Sequence, residues 1–425
     1  MRATKTMITV ALLVLGGSLL VPGSASATAG VEALPDRVGT PPLGTLRITD
    51  PFPIGAAAVA VSGFGGADTG SVAVVDAATG RYRVHRVGVT APAGEVVLLS
   101  PDGTRLAHQW SDEQGTDEQG SDDRRRTGVA VIDLGDRSVQ TVGPGTSDSV
   151  LTRPLGWSPD GSRLVLVDSV PRTPDRAAYR AVVSLVDVAS GSVRELATTD
   201  DDATAPVPGY SVAFTVDGRR LALQLGTELT IVDLATDRRH TLDLPAGRTL
   251  AGKGAWQPDG GRLTLVEQDG DDWRLIGVDP ATGAEVPGQR LPAVTDMLAV
   301  RLLGWQPDGA ALVVAYQPES TGRSSYQSLG QRISYGHVGG VQLMSLAPGG
   351  TTPTVRMTAA DGVRAIDVAD RALATGVIRP GQDPSRWPGP RFWLWPVVGL
   401  VVAALLLPVA YRAVGVRRRL PTDHP

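Results

Sequence analysis

The feature that most constrains the fold is a twelve-residue pattern that occurs five times. Its clearest copy is LGWSPDGSRLVL, two close copies are GAWQPDGGRLTL and LGWQPDGAALVV, and two weaker ones are LLSPDGTRLAHQ and VAFTVDGRRLAL. Every copy has an aspartate, a glycine directly after it and a leucine four positions after it. The aspartate and glycine positions are Asp102, Gly103, Asp160, Gly161, Asp217, Gly218, Asp259, Gly260, Asp308 and Gly309.

These columns predict the turns of β-hairpins. Proline presets φ for the first corner of a turn, aspartate accepts hydrogen bonds from the turn backbone, and glycine supplies the positive φ that returns the chain to a strand. The large apolar residue before the turn and the leucine after it then lie on the two arms. A second strand, turn and strand signal follows each copy, so the sequence indicates four strands per unit.

The spacing of the copies predicts a β-propeller. Successive aspartates are 58, 57, 42 and 49 residues apart, a spacing that is typical of four-stranded blades with loop insertions. Residues 57–87 predict a further blade that lacks one strand, and VRAIDV at 363–368 is the candidate for that strand. We therefore predict an all-β, six-bladed propeller over residues 52–377, with about 54 residues per blade; seven blades of about 46 residues are the alternative.

Both ends of the chain carry membrane signals. Arg2 and Lys5 precede an apolar run that ends in Ala25-Ser26-Ala27, which predicts a signal peptide over residues 1–27. Residues 392–411 are apolar and bordered by aromatic residues, which predicts a transmembrane helix.

Arginines follow that helix, so the positive-inside rule places the basic tail, residues 412–425, in the cytoplasm. The expected location is the cell membrane, in a single-pass type I topology with the propeller outside the cytoplasm. Residues 28–51 and 378–391 are rich in Pro, Gly or small residues and are predicted to be linkers.

Composition excludes several functions. The chain has no cysteine, which removes disulfides, thiolate metal sites and cysteine nucleophiles. Its formal net charge of -4 provides no basic surface, so nucleic acid is not a predicted partner.

The best copy of the repeat resembles a known family. Trp157-Ser158-Pro159-Asp160-Gly161, followed by Arg163 and Leu164, is similar to the WD-like repeats of TolB-type periplasmic propellers. The resemblance implies a propeller in an exported bacterial protein. It implies little about function, because such repeats occur in binding proteins, assembly factors and enzyme accessory domains.

No local motif indicates chemistry. The five histidines are scattered over different predicted elements, there is no G-x-S-x-G nucleophile motif, and the acidic runs at 112–123 and 200–202 lack the spacing of a calcium loop. We predict no catalytic residue, metal or cofactor. The predicted function is a non-catalytic binding or scaffolding module for an envelope protein, a peptide or a wall polysaccharide. The alternative is a lactonase-like or quinoprotein-like enzyme with its active site in the central channel.

Three insertions predict the binding face. Residues 111–127, 169–180 and 317–336 each separate the second from the third predicted strand of a blade, and those connections emerge on one face of a propeller. The third insertion is rich in Tyr, Ser, Gln and Arg, a composition found in recognition loops. The predicted binding residues are Tyr316, Arg323, Tyr326, Arg332, Tyr335, His337, Arg124 and Arg125.

Overall fold

The computed structural model of the protein describes most of the region between Ala33 and Phe392. The described residues are 33–51, 53–63, 70–87, 92–111, 127–143, 149–172, 178–200, 211–288, 290–319, 338–382, 389–392, 396, 399–400, 402–404 and 406–407. The predicted signal peptide and the predicted basic tail lie outside them, as does much of the predicted transmembrane helix.

The named elements of the described chain are short strands and one short helix, and residues 390–392 and the described residues between 396 and 407 are also helical. In chain order the named elements are β1 (Leu34–Pro35), β2 (Arg37–Val38), β3 (Ala57–Ser62), β4 (Ser71–Asp76), β5 (Tyr82–Arg86), β6 (Val97–Leu99), β7 (Arg105–Ser111), β8 (Thr127–Asp133), β9 (Val139–Val142), β10 (Leu151–Trp157), β11 (Arg163–Pro171), β12 (Tyr179–Asp187), β13 (Val193–Thr199), β14 (Ser211–Phe214), β15 (Arg220–Leu225), β16 (Glu228–Asp233), β17 (Arg239–Asp243), β18 (Arg248–Leu250), β19 (Leu263–Asp269), β20 (Asp272–Val278), β21 (Val294–Thr295), β22 (Ala299–Trp305), β23 (Ala311–Pro318), β24 (Val338–Leu346), β25 (Thr354–Ala359), β26 (Ala365–Val368), α1 (Asp370–Thr375) and β27 (Ile378–Arg379).

The strands form six antiparallel blades, which confirms the predicted fold and excludes the seven-bladed alternative. Blade 1 has the order β26-β3-β4-β5, and blades 2 to 5 are the consecutive sets β6–β9, β10–β13, β14–β17 and β18–β21. Blade 6 consists of β22 to β25, and β2 is added to its outer edge. The first strands of blades 1 to 4 contact one another in sequence, β26 with β6, β6 with β10 and β10 with β14, so the first strand of these blades lies nearest the axis.

The C-terminal part of the propeller supplies the missing strand of blade 1. In β26, Ala365 pairs with Ser62 and Val368 pairs with Val59 of β3, both in antiparallel register. The candidate strand at 363–368 is therefore confirmed. Because Ala365 and its partner Ser62 are 303 residues apart in sequence, blade 1 joins the two ends of the propeller and leaves no open sheet edge there.

The segments that flank the propeller form two further short ladders, one with each other and one with blade 6. Leu34 pairs in parallel with Ile378, and Arg37 pairs in parallel with Thr358 at the outer edge of blade 6. The described residues of the two predicted linkers therefore differ from the expectation of free connectors. Their backbone amides and carbonyls are used in short β-ladders, which composition alone does not reveal.

The Pro-Asp-Gly turns have the geometry that the sequence predicts. The glycines of all five turns have positive φ, between 65° and 82°. Asp160 accepts hydrogen bonds from Ser158 Oγ at 2.6 Å and from the backbone N of Ser162 at 3.0 Å. Asp102 and Asp217 accept the equivalent pair of bonds in their own turns. Each turn is therefore held by its aspartate and shaped by its glycine.

The basic position of the repeat joins consecutive blades. In three repeats, the arginine after the turn donates a hydrogen bond to the carbonyl of the turn glycine in the following blade. We call this bond the arginine link. The links run from Arg105 to Gly161 at 2.7 Å, from Arg163 to Gly218 at 3.2 Å and from Arg220 to Gly260.

The tryptophan of the repeat binds in the opposite direction. Trp256 Nε1 donates to the carbonyl of Ala213 in the preceding blade at 3.0 Å, and the Arg220 guanidinium lies 4.6 Å from the centre of the Trp256 ring. Trp305 Nε1 donates to the carbonyl of Gly254 at 2.9 Å. One repeat thus contacts both the blade before it and the blade after it, which explains why tryptophan and arginine accompany the turn.

The apolar core lies between the blades. Val165 and Val183 of blade 3 pack in one cluster with Leu221 and Leu223 of blade 4. The largest cluster contains residues of blades 6, 1 and 2. Burial of apolar surface between sheets is the main favourable term in such a ring, because one blade cannot cover both of its own faces.

Within the described part of the chain, no helix has both the length and the apolar character needed to cross a membrane.

Candidate binding site

The described strands place the three insertions on one side of the disc. Strand pairs β7–β8, β11–β12 and β23–β24 flank them, as predicted, and the connections from blade to blade emerge on the same side. We call this side the insertion face. The second insertion is shorter than predicted, because Pro171 pairs with Tyr179 and the strands β11 and β12 extend into it.

A pocket of about 600 Å³ opens on the insertion face at blade 6. We call it the blade-6 pocket. Three stretches of chain converge on it: the connection from blade 5, the paired ends of β23 and β24, and the connection to blade 1. Its lining residues are Asp296, Met297, Gln317, Pro318, Glu319, Val338, Gly339, Asp361, Gly362 and Arg364.

The wall from blade 5 has an unusual backbone conformation. Asp296 has a φ of 59°, a left-handed conformation that non-glycine residues adopt at a cost of about 1 kcal/mol. Two hydrogen bonds hold it there: its backbone N donates to Asp271 O at 3.2 Å, and Trp273 Nε1 donates to Met297 O at 2.8 Å. The chain is thereby turned so that Asp296 remains exposed at the rim.

The wall on the side of blade 1 carries the cation of the pocket. Arg364 directly precedes β26, and its backbone N donates to Ser62 O at 2.9 Å. Its side chain lies against Gly63, where an added Cβ would be only 2.5 Å from Arg364 Cβ. Gly63 therefore allows the arginine stem to pack closely, and the half-buried side chain is fixed at the wall of the pocket.

The pocket has a polar, charged rim. Asp296, Glu319 and Asp361 are exposed at its rim, Arg364 is part of the wall, and Val338 is buried at its base. Carboxylates accept hydrogen bonds from amide, ammonium and hydroxyl groups, and a guanidinium donates hydrogen bonds to carbonyl and hydroxyl oxygens. Polypeptides and polysaccharides carry these groups.

The structure places one of the predicted binding residues in the interior. Tyr316 lies on β23 with 3% of its surface exposed, so it is not part of an exposed loop surface. Burial raises the pKa of Tyr316 to about 12, against the opposing effect of the Arg301 charge. The interpretation as a loop residue is wrong in location, because β23 extends beyond it to Pro318. The other predicted binding residues lie outside the described residues: Arg323, Tyr326, Arg332, Tyr335, His337, Arg124 and Arg125.

A charged cluster near the axis was not predicted. Lys253, which follows β18, extends to β26, where its Nζ lies 3.2 Å from Asp367 Oδ1 and 2.8 Å from Asp370 Oδ1. It also donates to the carbonyl of Val368. Burial by itself lowers the pKa of Lys253, but the two carboxylates outweigh it and raise the pKa above its usual value, so the amine stays protonated.

The segment that carries Lys253 is packed tightly on blade 6. An added Cβ on Gly252 would lie 2.5 Å from Leu302 O, and one on Gly254 would lie 2.4 Å from Gly304 N. Only glycine fits this backbone approach. The sequence signal was available in the triplet Gly252-Lys253-Gly254, but a single lysine between two glycines has no distinctive pattern.

Two histidines that are distant in sequence meet between blades 1 and 2. The Nε2 atoms of His85 and His108 are 3.0 Å apart, and His108 Nδ1 lies 2.6 Å from Gln109 O. The two histidines lie on different elements, as predicted, β5 and β7, and the fold brings their side chains together. Burial, followed by the neighbouring charges of His108 and Arg47, lowers the pKa of His85 to about 3, and burial also lowers that of His108.

The described residues contain no group of three or more histidine, aspartate or glutamate side chains placed to hold a metal ion. The acidic run at 112–123 lies outside the described residues.

Neither a family model nor a curated protein matches the chain. Solved structures with a similar arrangement include TolB from Acinetobacter baumannii, with 14% sequence identity and a TM-score of 0.42. That comparison covers 74% of this chain and 66% of that chain, so the protein spans just under two thirds of the length of TolB.

Two further structures illustrate the range of proteins with this arrangement. A putative TolB from Agrobacterium tumefaciens has 13% identity and a TM-score of 0.41, with coverage of 71% of this chain and 89% of that one. An oligogalacturonate lyase in complex with manganese has 13% identity and a TM-score of 0.42, with coverage of 72% and 79%. At these identities the likeness concerns the fold, and no residue role is transferred from it.

Proposed function

We propose that the protein is an exported, membrane-anchored propeller whose insertion face binds an envelope protein, a peptide or a wall polysaccharide without converting it. The observation that carries the proposal is the blade-6 pocket, where segments of three successive blades meet at the strand ends that precede and follow the third insertion. Ligand sites of repeat proteins typically lie on the face that carries the insertions. The polar rim of the pocket supports hydrogen bonding to a polymer backbone.

Membrane anchoring through residues 392–411 is part of the proposal. The described residues between 396 and 407 are helical and exposed; Leu400 and Leu407, for example, are 71% and 67% exposed. Apolar side chains that do not pack on the disc require another apolar environment, and the hydrocarbon core of a bilayer provides it. With a cleaved signal peptide and the basic tail inside, the disc lies outside the cytoplasm.

The proposed absence of turnover is supported by the contacts of the charged residues near the axis. Lys253, Asp367 and Asp370 are bound to one another and to the backbone of β26, so their charges are used in holding the ring together. If the channel were instead an active site, Lys253→Met would abolish turnover of a lactone or an alcohol substrate, and a substrate screen on the purified chain tests that alternative.

The direct test is site-specific photo-crosslinking in the native envelope. A crosslinking residue at Glu319 or Asp361 labels the pocket rim, and one at Ser190 or Asp136 labels the turns between third and fourth strands on the opposite face. We expect adducts from the pocket positions and none from the control positions. Equal adducts from the two faces would contradict the proposed binding face.

Deletion of residues 320–334 tests the contribution of the third insertion. We expect the adducts at Glu319 to disappear while the thermal unfolding temperature stays nearly unchanged. Deletion of residues 113–123 in the first insertion is the matched control and should leave these adducts intact. If adducts at Glu319 survive the deletion of residues 320–334, the third insertion is not part of the binding site.

A further inference from the structure

The point at which the chain leaves the propeller is fixed to the disc. Gly389 N donates to Leu43 O at 2.8 Å, and Arg391 N donates to Gly44 O at 3.1 Å. Phe392 N in turn donates to Gly389 O at 2.9 Å. The residues directly before the proposed membrane helix are thus bound to the N-terminal segment.

Glycine makes this contact possible on both sides. An added Cβ on Gly44, which has a φ of 79°, would lie 2.6 Å from Phe392 Cβ. One on Gly389 would lie 2.4 Å from Gly44 O. An ion pair of 3.3 Å between Arg391 and Asp50 adds to the contact. The two segments therefore meet backbone to backbone at a defined position.

The N-terminal segment is itself held on blade 1. Ile48 N donates to Val84 O, and Val84 N donates to Leu46 O, both at 3.0 Å. Ile48 is buried in the largest apolar cluster of the ring. The exit point therefore moves with β5 at the outer edge of blade 1 and is not separated from the disc by a free linker.

The surface beside this exit point combines apolar and cationic groups. Leu43 is 66% exposed and Phe392 is 43% exposed, and Arg47 is exposed with no ion pair to any residue in the described part of the chain. We call residues 41–47 and 389–392 the exit edge. Exposed large apolar residues beside a cation are the composition of surfaces that lie at the level of lipid headgroups.

We propose that the exit edge lies on the membrane and contacts the phosphate-bearing headgroups of the bilayer. This proposal rests on the proposed membrane anchor. A helix that enters the bilayer directly after a segment bound to the disc leaves no length of free chain, so the edge of the disc at Leu43 must lie at the bilayer surface. Leu43 and Phe392 enter the apolar side of the interface, and Arg47 contacts phosphate.

The contact also places the blade-6 pocket near the membrane. Thr40 Oγ1 donates to the carbonyl of Asp361, a lining residue of the pocket, at 3.2 Å. Thr40 and Gly44 are four positions apart, and an extended chain covers at most about 14 Å over that length, so the pocket opens within about 20 Å of Phe392. The ligand of the pocket is therefore bound close to the bilayer surface.

Fluorescence quenching in the full chain tests the proposal. Because the chain has no cysteine, Leu43→Cys, Leu400→Cys and Ser190→Cys each allow one label. The labelled proteins are reconstituted in vesicles of phosphatidylcholine and phosphatidylglycerol in equal parts, with nitroxide quenchers at the headgroup or in the acyl chain. We expect headgroup nitroxides to quench the label at 43, acyl-chain nitroxides to quench the label at 400, and neither to quench the label at 190.

The label at 400 separates the two proposals. If it is quenched and the label at 43 is as bright as the label at 190, the anchor stands and the exit edge is wrong. If neither 400 nor 43 is quenched, the anchor is wrong and the exit edge is wrong with it. A Leu43→Cys, Arg47→Glu variant should show weaker headgroup quenching at 43 without losing it, because the anchor still holds the edge near the bilayer; unchanged quenching would overturn the role of Arg47. Near-ultraviolet circular dichroism that matches the unlabelled chain confirms that the variants are folded.

Discussion

The junctions between blades 2, 3, 4 and 5 differ from the junction that closes the ring. Each internal junction has an arginine link from one repeat to the turn of the next. The closing junction, where Lys253 of blade 5 and Arg301 of blade 6 contact β26 and the start of α1 around Asp367 and Asp370, uses residues that occur once. Arg301 Nη2 donates to Ile366 O at 2.8 Å, and Lys253 binds the two carboxylates.

The difference shows that a sequence repeat supplies the contacts between successive blades but not the contacts that close the ring. A repeated contact can be copied with the blade, so the loss of one copy leaves the others intact. Closure of the ring happens once and cannot be copied. The account therefore predicts that substitutions at the closing junction cost more stability than equivalent substitutions at internal junctions.

The largest effect is expected for Asp367→Ala. Asp367 is 2% exposed, accepts a hydrogen bond from Leu99 N at 2.9 Å and pairs with Lys253. Its removal leaves the half-buried ammonium of Lys253 with one partner fewer and Leu99 N without its acceptor, which together should cost about 3 kcal/mol of unfolding free energy. Urea unfolding of the detergent-solubilised chain measures the loss. Asp136→Ala, an exposed aspartate, is the control, and equal losses in the two variants would contradict the comparison.

Gly103→Ala tests the one repeat turn that faces blade 1. Blade 1 has no Pro-Asp-Gly turn and supplies no arginine, and Ala57 N donates instead to Gly103 O at 2.8 Å. An added Cβ would lie 2.1 Å from Ala57 O at a φ of 72°. Strain and overpacking together should cost about 3 kcal/mol.

Gly191→Ala is the matched control for this variant. Gly191 has nearly the same φ, 69°, with no heavy atom within 4 Å of an added Cβ. It should lose only the backbone strain, about 1 kcal/mol. If Gly103→Ala loses no more unfolding free energy than Gly191→Ala in urea unfolding, the close contact with blade 1 does not contribute to stability.

Acid should weaken the junction between blades 1 and 2. Burial, with the charges of His108 and Arg47, lowers the pKa of His85 from 6.5 to about 3, so the folded state holds a neutral ring. The stability from this group is complete above pH 6.5 and is lost as pH falls toward 3. Linkage predicts a loss of about 2 kcal/mol between pH 7 and pH 5.

A His85→Gln, His108→Gln variant provides the comparison for the acid effect. Its unfolding free energy should change less between pH 7 and pH 5 than that of the unmodified chain, because neither glutamine titrates. Parallel pH profiles in urea unfolding would show that the pair is not the acid-sensitive group.

The smallest effect is expected at an internal junction. Arg163→Ala removes one arginine link, a single hydrogen bond of 3.2 Å to Gly218 O, and should cost about 1 kcal/mol. Arg262→Ala is the control, because Arg262 has the same position in its repeat and its guanidinium donates no hydrogen bond to any described residue. A loss at Arg163 that matches the loss at Asp367 would remove the distinction between the two kinds of junction.

The repeat made the fold predictable, whereas the contacts between blades were not. Turn chemistry is local, so Pro-Asp-Gly predicted the hairpins, and VRAIDV predicted the closing strand because it resembles one arm of a hairpin. The partner of Arg163 lies in the next blade, and nothing in the sequence pairs an arginine with a glycine carbonyl 55 residues away.

The sequence predicted on which face of the disc the candidate site lies, but not which residues form it. The insertions indicated which side of the disc carries the pocket, because the connections of a meander alternate between two sides. Tyr316 was misplaced because an apolar strand and the start of a loop have the same composition there. Lys253 and the His85–His108 pair were missed because each depends on residues that meet only after the ring has closed.

Hydrogen exchange measured by mass spectrometry on Asp367→Ala and Arg163→Ala tests most directly whether closure depends on residues that have no copy. The account predicts that Asp367→Ala increases exchange throughout β26, α1 and β22, whereas the increase in Arg163→Ala is confined to the turn at Gly218. If exchange in Asp367→Ala changes only next to the substitution, or if Arg163→Ala increases exchange in whole blades, the ring does not depend on the closing junction more than on an internal junction.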